Sequence, residues 1–147
     1  MAKTAYCATV AAAAVFMLAA VIPAFASDPT GTWLVADGTA KVRIIACGEA
    51  VCGTVVWLSQ PMDAATGQPK TDKLNSDPAK RSRPMLGVEV ILGMQRRGED
   101  ATWSGQIYNP DSGNIYNGSI ALTDPTRLRV KGCVLIFCKT EIWTRSD

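Results

Sequence analysis

The residues best suited to chemistry are four of the five cysteines, which form two pairs of identical spacing. Four residues separate Cys47 from Cys52, and four separate Cys133 from Cys138. A stretch of that length can form a hairpin turn, which brings facing β-carbons to the distance that a disulfide requires. Two local disulfides are therefore predicted. A zinc ion held by all four thiolates fits less well, because C-x4-C lies at the edge of the usual ligand spacing.

An enzyme that depends on histidine or on a free thiol is disfavoured. The chain contains no histidine, and disulfide formation would remove the cysteine nucleophiles. Carboxylates remain, but the sequence sets no two of them at a separation typical of a paired acid and base. We predict no catalytic residue, no metal site and no cofactor. The candidate carboxylates are interpreted as solvated charges and ion-pair partners: Asp63, Asp72, Asp77, Glu89 and Glu141.

Aromatic and arginine side chains provide the candidates for ligand binding. Aromatic rings give a small-molecule site a large apolar contact area, and paired guanidinium groups bind carboxylates or phosphates. An alternative for the arginines is loop architecture, with Asp77 capping a helical turn at Pro78 and pairing with Arg81. The predicted ligand contacts are Trp57, Trp103, Tyr108, Tyr116, Arg81 and Arg83, and Asp77 is predicted to be structural.

The first 26 residues have the pattern of a cleaved secretory signal. Lys3 supplies a positive start, residues 8–22 are apolar, and Ala24-Phe25-Ala26 is a small-residue cleavage site. Cleavage would leave a single domain over residues 27–147, in the periplasm or secreted, where the oxidising environment favours disulfides. The chain has 15 Lys+Arg and 13 Asp+Glu, so removing Lys3 leaves 14 against 13. Such a balance gives no indication of nucleic-acid binding.

Alternation of apolar and polar residues predicts an all-β domain with about eight strands. Their short turn-like connections favour a single small up-and-down antiparallel barrel, since closure leaves no exposed sheet edges. One long connection, residues 61–85, lies between the third and fourth strands and carries four prolines. The predicted strands cover residues 31–36, 39–47, 51–59, 86–96, 101–109, 114–122, 126–132 and 138–145.

The same alternation predicts which side chains face inward. In the fourth strand the inward set is Leu86, Val88, Val90, Leu92 and Met94; the second strand turns Val42, Ile44 and Ala46 inward, and the seventh Leu128 and Val130. The last strand leaves two possibilities open. Its Trp143 shares parity with Lys139, Glu141 and Arg145, so either Trp143 faces solvent or the barrel interior carries charge.

Two resemblances follow from these motifs. Gly31-Thr32-Trp33 on the first strand and Trp143-Thr144-Arg145 on the last resemble the calycins, the lipocalin and avidin-like small barrels. This resemblance implies that Gly31, Trp33 and Arg145 are structural, with the guanidinium of Arg145 packed over the Trp33 ring to close one end of the barrel.

Nearly all of the chain after the signal resembles the bacterial exported family called domain of unknown function 2147. This family implies a barrel-like exported domain and no particular activity. The motifs that carry the resemblance are Cys47-Gly48…Val51-Cys52-Gly53, Val56-Trp57-Leu58, Asn75…Asp77-Pro78…Arg81-Ser82-Arg83-Pro84…Leu86-Gly87, Gly105-Gln106-Ile107-Tyr108-Asn109-Pro110…Gly113…Tyr116, Gly132-Cys133 and Trp143-Thr144-Arg145.

Three functional hypotheses follow. The first is a non-enzymatic exported protein that holds a small apolar or amphipathic ligand in the barrel, with residues 61–85 closing one mouth. The second is a structural or interaction module of the cell envelope with a filled core. The third is a carboxylate-dependent enzyme. No nucleic-acid partner and no stable membrane insertion are expected, and the oligomeric state does not follow from the sequence.

Overall fold

Eight antiparallel strands close into a barrel in which each strand pairs with its neighbours in the sequence and β1 pairs with β8. The computed structural model describes residues 28–99 and 101–147; the predicted signal, residues 1–26, lies outside them. The predicted all-β up-and-down barrel is confirmed. Its strands are β1 Gly31–Leu34, β2 Ala40–Cys47, β3 Ala50–Leu58, β4 Glu89–Arg96, β5 Thr102–Asn109, β6 Asn114–Asp124, β7 Arg127–Val134 and β8 Phe137–Arg145.

The connections fall at two opposite ends of the barrel, because consecutive strands run in opposite directions. One end, here the loop end, holds the β1–β2, β3–β4, β5–β6 and β7–β8 connections. The long connection is among them and contains a single 3₁₀ turn, Pro78–Lys80. The other end, the terminal end, holds the remaining connections and residues 28–30 and 146–147. Within the described residues, no helix is long and apolar enough to cross a membrane.

The core is formed by inward side chains from all eight strands. In β7, Leu128 and Val130 are buried while their neighbours on the strand are exposed, as predicted. In β2, Val42 and Ile44 are buried, but Ala46 is exposed, which corrects the prediction for that residue. The apolar core residues with no more than 1% exposure are Trp33, Ile44, Ile91, Met94, Ile120 and Leu128.

The predicted inward face of β4 is partly wrong, because β4 contains bulges. Val90 and Ile91 are adjacent and both buried, and the β3–β4 register shifts at this point. A β-bulge sets two residues opposite one on the partner strand, so strict alternation fails. Leu86 precedes the strand and is 48% exposed, and Leu92 is only half-buried. Met94 is buried as predicted.

The terminal end is closed by Arg145. Its guanidinium carbon lies 4.3 Å from the centre of the Trp33 ring, while Nη1 donates to the carbonyl of Thr30 and Nε to that of Pro125. Gly31 makes room for this packing: its φ is +131°, and a β-carbon there would overlap the guanidinium. The three residues implied by the calycin resemblance thus lie in one contact cluster.

Both local disulfides are present. Cys47 and Cys52 join across the β2–β3 turn at the terminal end, and Cys133 and Cys138 join across the β7–β8 turn at the loop end. Their Cα–Cα distances are 5.8 and 4.0 Å. The predicted spacing rule therefore gives the correct pairing.

Candidate functional site

The inner wall of β8 carries charge toward the loop end. In the β7–β8 ladder, Trp143 pairs with Leu128, Glu141 with Val130 and Lys139 with Gly132. Since Leu128 and Val130 are buried core residues, their partners share the core face. Trp143 is 6% exposed. The question left open by the sequence is therefore answered: Trp143 faces inward, and the interior is charged beside it.

Glu141 connects the buried and exposed parts of this wall. One carboxylate oxygen accepts from Trp143 Nε1 at 3.2 Å, and the other lies 2.8 Å from Lys139 Nζ. Side-chain exposure rises from 33% at Glu141 to 83% at Lys139. The hydrogen bond to Glu141 and the attraction of its charge raise the pKa of Lys139. The inner wall thus passes from an apolar floor to a charged pair at the mouth.

Three glycines lie across from Lys139 on the same face. Gly105 pairs with Gly118, and Gly118 pairs with Gly132. A β-carbon at Gly118 would overlap the Ile107 side chain, and one at Gly105 would press against Met94, so core atoms fill both spaces. A β-carbon at Gly132 would have nothing within 4 Å. The core face is therefore packed at the first two glycines and open at the third, which pairs with the exposed Lys139.

Two of the predicted aromatic contacts lie on this core face. Trp103 pairs with the fully buried Ile120, and Tyr116 pairs with Ile107. Both rings are half-buried. The Tyr116 hydroxyl lies 2.8 Å from Ser112 Oγ in the β5–β6 turn. Tyr116 therefore lies at the loop end of this face, and Trp103, which pairs with Arg96 beside the β4–β5 connection, lies at the terminal end.

Trp57 lies elsewhere. The β2–β3 register shifts between Lys41 and Val42, so that Trp57 pairs with Lys41, whose ammonium lies 5.3 Å from its ring centre. Trp57 is 42% exposed. Because the shift moves its side chain away from the face of buried Val42, the structure sets Trp57 on the outer surface, apart from the other predicted contacts.

The remaining predicted contacts belong to a buried network in the long connection. Its centre is Asp72, whose side chain is fully buried. Asp72 Oδ1 accepts from the Tyr108 hydroxyl at 2.5 Å, and Oδ2 accepts from Asn75 Nδ2 at 2.7 Å. Arg83 donates to the same Oδ2 through Nε at 2.9 Å and through its terminal nitrogen at 2.7 Å. Both carboxylate oxygens are thus occupied by protein donors.

This network fastens the long connection to the barrel wall. Tyr108 follows Ile107 in a regular ladder, so its side chain belongs to the outer face of β5, yet Tyr108 is only 5% exposed. Ser76 N donates to the carbonyl of Gly113, where a β-carbon would overlap Leu74. We conclude that residues 72–76 pack against the outside of β5 and the β5–β6 turn. The prediction that residues 61–85 close the mouth gains no support from this contact.

Burial and the adjacent carboxylate of Asp72 raise the pKa of the Tyr108 hydroxyl. Desolvation, followed by the hydrogen bond to Asp72 and the charge of Asp72, raises the pKa of Tyr108 from 10.0 to about 12. The phenol therefore stays protonated and keeps donating to Asp72 throughout the physiological range. Its role in this geometry is to hold the loop.

The predicted pairing of Asp77 with Arg81 is not the one observed. Asp77 caps the 3₁₀ turn by accepting from Ala79 N at 3.0 Å, and its other oxygen lies 3.6 Å from Lys80 Nζ. Arg81 instead donates through Nε to the carbonyl of Asn75 at 2.8 Å. In a 3₁₀ turn, residues three apart align along one face, so Lys80 is better placed than Arg81 to reach Asp77.

Sequence reasoning missed the residues that organise the buried network in the long connection and the open space on the core face. Asp72 was grouped with solvated carboxylates, and the open space at Gly132 beside Lys139 was not recognised. A signal for the first was present, since Asn75 and Arg83 both belong to the family motif that begins three residues after Asp72. No local signal marks the second, because Gly132, Lys139 and Glu141 meet only through strand register.

Comparisons with known proteins agree with this architecture. A solved structure with a TM-score of 0.67 and 19% identity covers 82% of this chain and 84% of its own; it is described as protein HP1028 from the human pathogen Helicobacter pylori, a member of the lipocalin family. The likeness concerns the fold. Comparison with curated proteins gives no match. The model of a family described as uncharacterized proteins conserved in bacteria matches residues 31–145. On this match, the chain belongs to that family, DUF2147.

Proposed function

We propose that the protein is exported, is not an enzyme, and binds a small amphipathic molecule in the loop-end part of its barrel. The observation that carries this proposal is the open space in front of Gly132, on the core face and beside the exposed Lys139. The opposite half is filled by fully buried side chains such as Trp33 and Leu128. A small barrel of this kind has room for one small ligand at most.

The lining supports an amphipathic ligand. Tyr116 offers a half-buried aromatic face, which favours an apolar group. Glu141 and Lys139 offer a charge pair at the mouth, which favours a polar group that can accept or donate hydrogen bonds. Of the six residues predicted to contact a ligand, Tyr116 remains in the proposed site, whereas Trp103 lies beside the β4–β5 connection at the terminal end. Arg81, Arg83 and Tyr108 are assigned to fastening the long connection, and Trp57 to the outer surface.

Binding is favoured over catalysis by the condition of the carboxylates. Asp72 is buried with all its oxygens accepting from protein groups. Asp63 pairs with Lys73 and accepts from two backbone amides, which lowers its pKa. Asp72 lies outside β5, and Glu141, which lies on the core face, is held by Trp143 Nε1 and Lys139 Nζ. Export is supported by the two disulfides, which persist in oxidising compartments, and by the predicted signal over residues 1–26.

The experiment is to fill the open space. Gly132→Leu would add an apolar side chain where no atom lies within 4 Å. Thr140→Leu is the matched control, because Thr140 pairs with Lys131 on the outer face of the same two strands. We expect an apolar fluorescent dye to bind the natural protein and the control, and its affinity for Gly132→Leu to fall about ten-fold or more.

Native mass spectrometry of protein purified from its host provides the second readout, with a co-purified small molecule expected. The proposal is wrong if the natural protein takes up neither dye nor cellular ligand. Dye binding that Gly132→Leu leaves unchanged would also contradict it, since the dye would then occupy another surface.

A further inference from the structure

We infer that the β7–β8 turn is a membrane-docking tip that inserts into the surface of a bilayer containing anionic lipids. The turn carries four consecutive apolar residues, 134–137, which we call the apolar tip. Their side chains lie in solvent. Exposure is 50% at Val134, 92% at Leu135, 87% at Ile136 and 75% at Phe137. A contiguous apolar group of this kind on a folded protein marks an interaction site.

Folding requirements do not explain these residues. Leu135 has φ +53°, a conformation that favours glycine or asparagine in a two-residue hairpin turn. Among the described residues it is the one non-glycine residue with positive φ. Turn chemistry and solubility would both select polar or small residues here. Large apolar side chains at an exposed turn with a positive φ therefore point to a function outside the fold.

The turn is held in a fixed shape. Val134 pairs with Phe137 at the end of the β7–β8 ladder, and the Cys133–Cys138 disulfide joins the strands next to that pair. The apolar side chains therefore cannot fold back easily onto the barrel. A preorganised tip loses little conformational entropy when it enters another medium.

The charges on β7 indicate which surface the tip enters. The outward residues of β7 are Arg127, Arg129 and Lys131, all exposed; we call them the basic stripe. Arg127, the member farthest from the tip, lies 3.8 Å from Asp124. The stripe runs along the strand that ends in the tip. On the neighbouring strand the outward residues paired with the stripe are uncharged: Thr140, Ile142 and Thr144.

The spacing of tip and stripe suits a lipid surface. Lys131 lies three residues before Val134, which corresponds to about 10 Å along a strand. Apolar groups that lie in a membrane interface enter it by about 5–10 Å. A tip inserted to this depth would bring Lys131 into the headgroup layer, and Arg129 would follow within a Debye length of anionic phosphates. Docking would be peripheral and reversible.

Vesicle flotation tests this inference. We expect the protein to float with vesicles of phosphatidylcholine mixed with phosphatidylglycerol, and much less with phosphatidylcholine alone. The triple variant Leu135→Ser, Ile136→Ser and Phe137→Ser should bind the mixed vesicles about ten-fold less, because it removes most of the inserted apolar area. Arg129→Gln and Lys131→Gln should each weaken binding about five-fold, and added salt should weaken it further.

A matched control replaces exposed apolar residues away from the tip. Ile45 and Val56 are 54% and 42% exposed, and Ile45→Ser with Val56→Ser should leave vesicle binding unchanged. Unaltered circular dichroism would show that the tip variant is folded. Dye uptake is measured on the same variant. Because the dye probes the barrel interior and the vesicles probe the tip, the two measurements distinguish this inference from the proposed ligand site.

Three outcomes would overturn the inference. One is that the natural protein floats with neither vesicle type. Another is that the triple variant floats as well as the natural protein. The third is that sedimentation reveals a dimer that the triple variant abolishes, since the tip would then be covered by a second copy of the chain.

Discussion

The guanidinium of Arg145 rests on the ring of Trp33, and Gly31 leaves the space in which it does so. Trp33 Nε1 donates in turn to the carbonyl of Pro29 at 2.8 Å. Strands β1 and β8 are thus joined by side chains as well as by their short ladder, in which Trp33 pairs with Arg145 and Leu34 with Thr144. The side-chain contacts therefore reinforce the shortest seam in the barrel.

Removing Arg145 should destabilise the protein substantially. Arg145→Ala loses the cation–π contact and two hydrogen bonds to backbone carbonyls. We expect a loss of about 2–3 kcal/mol in the free energy of unfolding, measured by urea denaturation. Arg129→Ala removes an exposed arginine from an outer face and should change stability by about 0.5 kcal/mol or less. Equal effects of the two substitutions would contradict the role given to Arg145.

Gly31→Ala tests the same contact from the other side. We expect a loss of about 2 kcal/mol or more, since the new β-carbon would overlap the guanidinium and the φ of +131° suits glycine alone. Combined with Arg145→Ala, the loss should be smaller than the sum of the two by about 1 kcal/mol, because the overlap disappears. Strict additivity in this double-mutant cycle would mean that the two residues act separately.

Asp72→Asn should release the long connection while leaving the barrel folded. The substitution preserves side-chain size but removes the charge that Arg83 faces, and it alters the acceptor for Tyr108. Loss of one partner from a buried ion pair costs about 3–5 kcal/mol where the group stays buried, so the loop should open locally. Hydrogen exchange at residues 72–83 and tryptic cleavage after Lys70 and Lys73 should both accelerate.

Asp77→Asn is the control for this prediction. Asparagine can still cap the 3₁₀ turn, and the pair with Lys80 is exposed, so exchange in the same segment should change little. If Asp72→Asn and Asp77→Asn behaved alike, the network around Asp72 would not be what holds the loop.

Tyr108 should lose its hydroxyl proton only at high pH. Its pKa in the folded protein is raised to about 12 from 10.0. Because the folded pKa lies above the unfolded one, the associated stability is complete below pH 10 and is lost as the pH rises from 10 to 12. Tyr116→Phe leaves Tyr108 as the one tyrosine in residues 27–147, so tyrosinate absorbance would report it directly. A midpoint near 10 would contradict the buried contact with Asp72.

Non-reduced tryptic peptides should confirm the two disulfides in solution. No lysine or arginine lies between Cys47 and Cys52, or between Cys133 and Cys138. Local pairing therefore gives two separate peptides, each lighter by two hydrogen atoms than its reduced form. Either of the other pairings would link the two peptides into one species.

The sequence was sufficient for the architecture because period-two alternation is a local property. Hairpin turns, cysteine spacing and the inward faces of β2 and β7 could be predicted without knowledge of the fold, apart from Ala46. The failures occur where the register shifts. Val90 and Ile91 are adjacent and both buried, and Trp57 leaves the core face. A bulge inserts a residue without a reliable change in composition, so alternation alone cannot locate it.

The candidate site could be predicted only in part. Tyr116 was identified as an aromatic residue for ligand contact, but the charged wall at the same end of the barrel depends on which residues pair across β7 and β8. Asp72 and Tyr108 are 36 positions apart. No periodicity connects residues at such a separation, and only the path of the long connection brings them together.

Pairing between β1 and β8 has a consequence for the topology of the chain. Ser146 N donates to the carbonyl of Thr32, and Arg145 reaches the carbonyl of Thr30, so the first and last described residues are neighbours. A short peptide linking them, with new ends opened in the β4–β5 connection, would give a circular permutant that retains every strand pair. The strand pairing of the closed barrel therefore does not depend on which strand comes first in the chain.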